Sequence, residues 1–196
     1  MLLKSYGARG RVLIRAFFAL PVSESFGRQI SLHAANLSQQ LPYETLRWVP
    51  PENYHITLAF LGDIESRDIP RLESITADVV SIHSVSELTV DDIVWFPSIH
   101  KPRLLVALIK QQVSLTKLQA DLLQQLRLHG FYVEKRRFIP HISLARAKRN
   151  QKAKGFQLML GSLKTEMDEL VLFQSTLTPS GAHYSVLCEG VLRAFI

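Results

Sequence analysis

A short phrase of alternating polar and apolar residues occurs twice in the chain, as Tyr54-His55-Ile56-Thr57-Leu58 and as Pro140-His141-Ile142-Ser143-Leu144. Alternation with period two marks a half-buried strand, because successive strand side chains point to opposite faces. Two strands are therefore predicted. His55 and Thr57 share one face and His141 and Ser143 share another, while Ile56 with Leu58 and Ile142 with Leu144 turn into apolar packing. Both copies are approached through proline, Pro50-Pro51-Glu52-Asn53 in the first and Phe138-Ile139-Pro140 in the second. A chain with this phrase in each half is constrained toward two similar halves whose histidine strands meet at a cleft.

A lone H-x-T or H-x-S on an apolar strand usually means a hydrogen-bonded structural histidine. Recurrence in the same aliphatic frame changes the reading. Imidazole titrates near neutrality, so of two histidines in one cleft one can accept a proton while the other donates one. A hydroxyl two residues on can hydrogen-bond an anionic oxygen without adding charge. A zinc site is the competing reading, but two histidines fall short of the three or more protein ligands that zinc sites use. The other histidines, His33, His83, His100, His129 and His183, show no ligand spacing and read as surface or core residues. No metal and no cofactor are expected.

At 196 residues with 47% hydrophobic content the chain can bury a full core and is globular rather than disordered. Its formal charge of +6 favours an anionic partner without identifying one. Lys135, Arg136, Arg137, Arg146, Lys148, Arg149, Lys152 and Lys154 crowd around the second histidine with only Glu134 to offset them, as either a solvated basic face or a phosphate-binding rim. The single cysteine, Cys188, excludes an intrachain disulfide and fits a reducing compartment. Arg15 interrupts the apolar run from Val12 to Leu20, which argues against a signal peptide, and no segment has the length of a membrane span. A soluble cytoplasmic protein is expected.

Residues 11 to 20, ending at Pro21, read as a buried strand, and Ser23 as the cap of a helix reaching Gln40 with Phe26, Ile30 and Leu37 as its stripe. Trp48 and Val49 are expected to enter the first histidine strand, which Gly62-Asp63 ends as a turn. A helix follows from Pro70 to Ile82, then strands from Glu87 to Phe96 and from Arg103 to Ile109. Leu115, Leu118, Leu122, Leu123 and Leu126 define a helix from Val113 to Leu128 that Gly130 stops. Residues 168 to 177 and 182 to 191 read as two strands of a hairpin. The order is a mixed α+β pattern of two pseudo-symmetric lobes of antiparallel sheet flanked by helices, with a central cleft.

These features together resemble the two-histidine (2H) phosphoesterase superfamily, and specifically the RNA 2′,3′-cyclic phosphodiesterases, also called the 2′-5′ RNA ligase family. The resemblance runs in order along nearly the whole chain: Arg11 to Leu20, Arg47 to Asn53 with His55 to Gly62, Phe96-Pro97 with Pro102-Arg103, Gly130-Phe131 with Arg137-Phe138, His141 to Arg146, and Ser175 to Tyr184. Ser143 stands where threonine is commoner. The resemblance implies a single domain over residues 1–196, with 1–10 as an extension. It implies metal-independent hydrolysis of RNA 2′,3′-cyclic phosphate ends to 2′-phosphomonoesters, with reversible 2′-5′ joining in some members. Carried over, His55 is the proton donor to the leaving oxygen, His141 the proton acceptor that activates water, and Thr57 and Ser143 bind phosphate oxygens. Arg146 is a candidate phosphate ligand, yet in an unbroken strand it falls an odd number of residues from His141 and points to the opposite face. A bulge or strand end would be needed to redirect it. Phe17, Trp48, Tyr54 and Phe138 are able to stack on a base but are assigned to the core. The expected partner is RNA with cyclic phosphate ends, or a small cyclic nucleotide, bound by a monomer away from membranes. Two other readings remain: a non-catalytic module that binds RNA ends, and a 2H enzyme acting on another substrate such as 2′-5′ oligoadenylate.

Overall fold

The structure is a computed structural model and describes residues 6–7, 11–41, 46–148, 153–156, 158, 161, 163–179 and 181–193. Arg149 and Lys152 of the basic run lie outside the described residues. The strands are β1 (Tyr6–Gly7), β2 (Arg11–Pro21), β3 (Leu46–Trp48), β4 (His55–Glu65), β5 (Ser86–Phe96), β6 (Leu104–Ile109), β7 (His141–Ala147), β8 (Lys164–Met167), β9 (Glu169–Thr178) and β10 (Gly181–Val191). The helices are α1 (Glu24–Gln40), α2 (Ile69–Ser81) and α3 (Val113–Leu128).

The strands join in one antiparallel sheet of order β10-β9-β2-β4-β7-β6-β5-β8, with β1 on β2 and β3 on β7. The two expected halves are recognisable as β2-α1-β4 and β6-α3-β7, each a strand, a helix and a histidine strand. They meet where β4 pairs with β7, the two histidine strands lying side by side at the centre.

Each helix forms where its apolar residues recur at helical spacing. Phe26, Ile30, Ala34 and Leu37 are the buried stripe of α1, whose first turn is capped by the Ser23 hydroxyl accepting from the Phe26 N–H at 3.3 Å. Leu72, Ile75 and Val79 bury α2, and Leu115, Leu118, Leu122 and Leu126 bury α3. Gly130, at φ 80°, follows the end of α3 in the left-handed region that a residue with a Cβ enters at a cost. No helix among the described residues is long and apolar enough to cross a membrane.

The helix stripes pack with alternate residues of the sheet: Ile14, Ala16, Phe18 and Leu20 of β2, Ile56 and Leu58 of β4, Leu105, Ala107 and Ile109 of β6, and Ile142 and Leu144 of β7. The intervening residues face the other side of the sheet, and Phe17, Ala19, Val106 and Val171 are nonetheless buried there. Central strands are thus covered on both faces, which is why 11–20 reads as a nearly continuous apolar run.

Three local expectations are corrected. Trp48 does not enter the first histidine strand: β3 is a separate three-residue strand that pairs with β7, divided from β4 by a 3-10 turn over Pro51–Asn53. Gly62 does not end β4 as a turn. It sits at φ 69° beside a bulge opposite Ala16, and the strand runs on to Glu65. The short strand β8, pairing with the start of β5, forms where the sequence pattern predicts none.

Candidate active site

Ile56 of β4 pairs directly with Ile142 of β7, and both are fully buried on the helix side. Because paired residues in an antiparallel ladder point to the same face and their neighbours to the other, His55, Thr57, His141 and Ser143 all emerge on the face away from the helices. What the sequence gives as two faces is therefore one. In this register His55 is adjacent to Ser143 and Thr57 to His141, and the two histidines are diagonal neighbours, roughly 7–8 Å apart across the ladder. That spacing leaves room for a phosphate between the rings.

Each ring is held from its own backbone. His55 Nδ1 donates to the Asn53 carbonyl at 2.8 Å, and His141 Nδ1 donates to the Ile139 carbonyl at 2.7 Å. A carbonyl only accepts, so each Nδ1 carries the proton and each neutral ring presents the Nε2 lone pair to the cleft. His55 Nε2 lies 3.1 Å from Thr57 Oγ1, whose hydroxyl can donate to it. The proline-bearing approaches place these carbonyls two residues upstream in both copies. Asn53 is also bound through its side chain, whose amide donates to the Ala182 carbonyl of β10 at 3.1 Å and ties the turn before His55 to the neighbouring hairpin.

Aromatic rings complete the walls. His55 lies 5.0 Å from the Phe17 ring, 5.3 Å edge-on from Tyr184 and 6.3 Å from Phe173, while His141 stacks on Phe96 at 4.9 Å and 22°. Desolvation by this surround is the largest cause of a depressed His55 pKa, about 4 against an ordinary 6.5; the charges of Arg146 and His141 push the same way, and the hydrogen bond to Asn53 opposes them. In the free protein at neutral pH His55 is uncharged.

Arg146 reaches this face through a break in the alternation of β7. Opposite β6, Leu108 pairs with His141, Val106 with Ser143, and Leu104 with Arg146, with a register shift at Leu144. Leu104, Val106 and Leu108 alternate without interruption on one face of β6, so their partners His141, Ser143 and Arg146 share a face as well. The bulge leaves Leu144 and Ala145 both buried and turns the exposed Arg146 outward, where its charge is felt at His55.

The sequence missed Phe96, Phe173 and Tyr184 as ring neighbours of the histidines; Phe173 pairs with Phe17, Tyr184 with Ser175 and Phe96 with Leu104, so no spacing along the chain marks them. Of the aromatics considered for stacking, Phe17 and Tyr54 are buried, and Trp48 and Phe138 are partly buried against the core. His83 is a structural histidine whose Nε2 meets Asp121 Oδ2 at 3.0 Å. Among the described residues no group of three or more His, Cys, Asp or Glu side chains could hold a metal ion.

Residues 20–106 match the family model described as LigT like Phosphoesterase. An RNA 2′,3′-cyclic phosphodiesterase of Thermotoga maritima is 32% identical over 181 residues, covering 90% of this chain and 94% of its own. One of Bacillus subtilis is 34% identical over 130 residues, covering 66% and 69%. The chain spans 57% of the length of a Geobacillus stearothermophilus relative with the same name, to which it is 28% identical over 91% of its own length. Among solved structures, TT0787 of Thermus thermophilus superposes with a TM-score of 0.79 at 24% identity, covering 92% of this chain and 99% of that one. Escherichia coli LigT complexed with 3′-AMP superposes with a TM-score of 0.74 at 24% identity, covering 92% and 98%. Sequence and fold agree, and the chain belongs to the LigT-like 2H phosphoesterases, the family of the RNA 2′,3′-cyclic phosphodiesterases.

Proposed function

We propose that the protein hydrolyses 2′,3′-cyclic phosphate ends of RNA to 2′-phosphomonoesters, with His55 as general acid and His141 as general base. The observation that carries this reading is the single face shared by both imidazoles and both hydroxyls across the Ile56–Ile142 pair. Water attacks phosphorus from the His141 side and gives its proton to Nε2. The bond from phosphorus to the 3′ oxygen breaks opposite, and His55 Nε2 supplies the proton that completes the 3′ hydroxyl. Thr57 and Ser143 donate to the non-bridging oxygens, where negative charge builds up. With a 5′ hydroxyl in place of water as the nucleophile, the same proton transfers form a 2′-5′ phosphodiester as the bond to the 3′ oxygen breaks and the 3′ hydroxyl is released, which is the 2′-5′ ligation chemistry.

A donor role for His55 requires a proton that the free protein does not hold at neutral pH. The cyclic diester supplies the missing condition. Its negative charge, seated between the rings, opposes that of Arg146 and raises the His55 pKa, so the proton is taken up as substrate binds. No metal or cofactor takes part in this scheme. We take residues 1–196 as a single domain, in keeping with one sheet and one core cluster running through both halves. Action in the cytoplasm fits the single free thiol of Cys188.

The test is incubation with cyclic-phosphate-terminated RNA in EDTA and identification of the monoester formed. Release of a 2′-phosphate, with His55→Ala and His141→Ala each reducing turnover by roughly a hundred- to ten-thousand-fold, is expected. Tight binding of RNA ends without turnover would leave an RNA-end-binding module, and turnover confined to 2′-5′ oligoadenylate would change the substrate.

A further inference from the structure

Arg47 of β3 stands directly opposite Arg146 of β7, the two pairing in register between Leu46–Ala147 and Trp48–Ala145. Paired residues share a face, so Arg47 also emerges on the side of the histidines, as an exposed guanidinium next to an exposed guanidinium. Like charges directly opposite on a sheet repel. Neither arginine has a carboxylate ion-pair partner among the described residues. Two unneutralised cations in this position form a socket for an anion, since a guanidinium pair can hold phosphate oxygens with several charge-assisted hydrogen bonds.

The socket is displaced from the reacting centre. Along the β6 ladder Arg146 lies two register positions beyond Ser143, roughly 7 Å along the strand. That displacement is on the scale of one nucleotide of backbone, phosphate to phosphate. Arg146 is near enough to depress the His55 pKa, and Arg47 is not among the charges that do so. The pair thus runs from the edge of the catalytic centre outward.

We propose that Arg47 and Arg146 bind a second phosphate of the substrate, the internucleotide diester on the 5′ side of the nucleotide that carries the cyclic phosphate. The site then recognises an RNA end rather than a free cyclic mononucleotide. This rests on the phosphodiesterase reading for its substrate, but it makes a claim about binding that does not depend on turnover.

The test measures equilibrium binding of three ligands: adenosine 2′-monophosphate, the dinucleotide ApA bearing a terminal 2′-phosphate, and the same dinucleotide with a neutral methylphosphonate linkage. The diester dinucleotide should bind roughly tenfold or more tightly than the mononucleotide. Its salt slope should be steeper by about one. Arg47→Ala should abolish most of that gain and the extra slope, Arg47→Lys should recover part of it, and the methylphosphonate should bind like the mononucleotide. Equal affinities for the charged and neutral dinucleotides, or an Arg47→Ala loss of the same size for all three ligands, would overturn the proposal. The expected binding pattern without hydrolysis of the cyclic forms leaves the subsite standing and removes the phosphodiesterase reading.

Discussion

Ile56 and Ile142 are the one residue pair through which β4 and β7 meet in register, and they set the spacing of the histidines next to them. Both side chains are fully buried. Ile142→Ala should cost about 2–5 kcal/mol of stability through the lost contacts and the cavity. It should also lower kcat, because the diagonal between the rings is no longer fixed. Leu72→Ala in α2 serves as the comparison: a similar fall in melting temperature with unchanged kcat is expected there, and an equal loss of kcat in both variants would reduce the Ile pair to ordinary core.

The depressed pKa of His55 makes stability depend on pH. Unfolded, the ring titrates near 6.5; folded, near 4. Between these values the unfolded chain binds the additional proton, so acid favours unfolding. The contribution of His55 is fully present above about 6.5 and is lost as the pH falls through about 4. Allowing for partial exposure of the ring, its size is on the order of 2 kcal/mol. Chemical denaturation at pH 7 and pH 4 should show His55→Gln losing that much less stability than the natural chain; parallel losses would mean the ring is not desolvated.

Leaving-group chemistry separates acid from base where pH profiles cannot, because the two assignments of a pair of titrating groups give the same bell. From a nitrophenyl phosphodiester the nitrophenolate departs without a donated proton. His55→Ala should therefore lose at least tenfold less activity on this substrate than on a cyclic nucleotide. His141→Ala should lose similar factors on both. The opposite pattern would exchange the two roles.

Asn53 positions His55 through its carbonyl and anchors that carbonyl through the hydrogen bond its side-chain amide donates to the Ala182 carbonyl. Asn53→Ala removes the anchor and should cost about 1 kcal/mol of stability. Turnover should fall by roughly tenfold at little change in KM, the loss expected when a reacting group is slightly misaligned. Preserved kcat would make the side chain a structural tie only.

Gly190 of β10 packs under α2, where an added Cβ would lie 2.9 Å from Thr76 Cγ2 and 3.0 Å from Val80 Cγ1. Both neighbours are β-branched and stiff at χ1, so neither yields easily. Gly190→Ala should destabilise by about 1–3 kcal/mol and leave the histidine face unaffected. A thermal midpoint equal to that of the natural chain would mean that the helix shifts freely on the sheet.

The histidines and hydroxyls were legible because strand alternation leaves a mark at every second residue, and the helices because each buries a stripe of three or four apolar side chains. What escaped the sequence lacks such a mark. The bulge at Leu144 sits in Leu144-Ala145, two apolar residues that look like ordinary strand, yet it decides which face Arg146 takes. The strand β3 is three residues long, too short for any period, and without it Arg47 has no partner to be compared with. Gly62 carries the composition of a turn but relieves a bulge inside a continuing strand. The carbonyls of Asn53 and Ile139 are backbone atoms, and every residue has one.

Because each imidazole is fastened by a carbonyl only two positions upstream, each ring belongs to a tripeptide that brings its own clamp. The tautomer of each ring is chosen within that tripeptide, and the turn before His55 takes one more tie, from the Asn53 amide to Ala182. Such a unit keeps the ring's orientation when surrounding side chains are exchanged, so long as the chain enters the strand along the same path, and the aromatic walls beside it can change without moving the clamp.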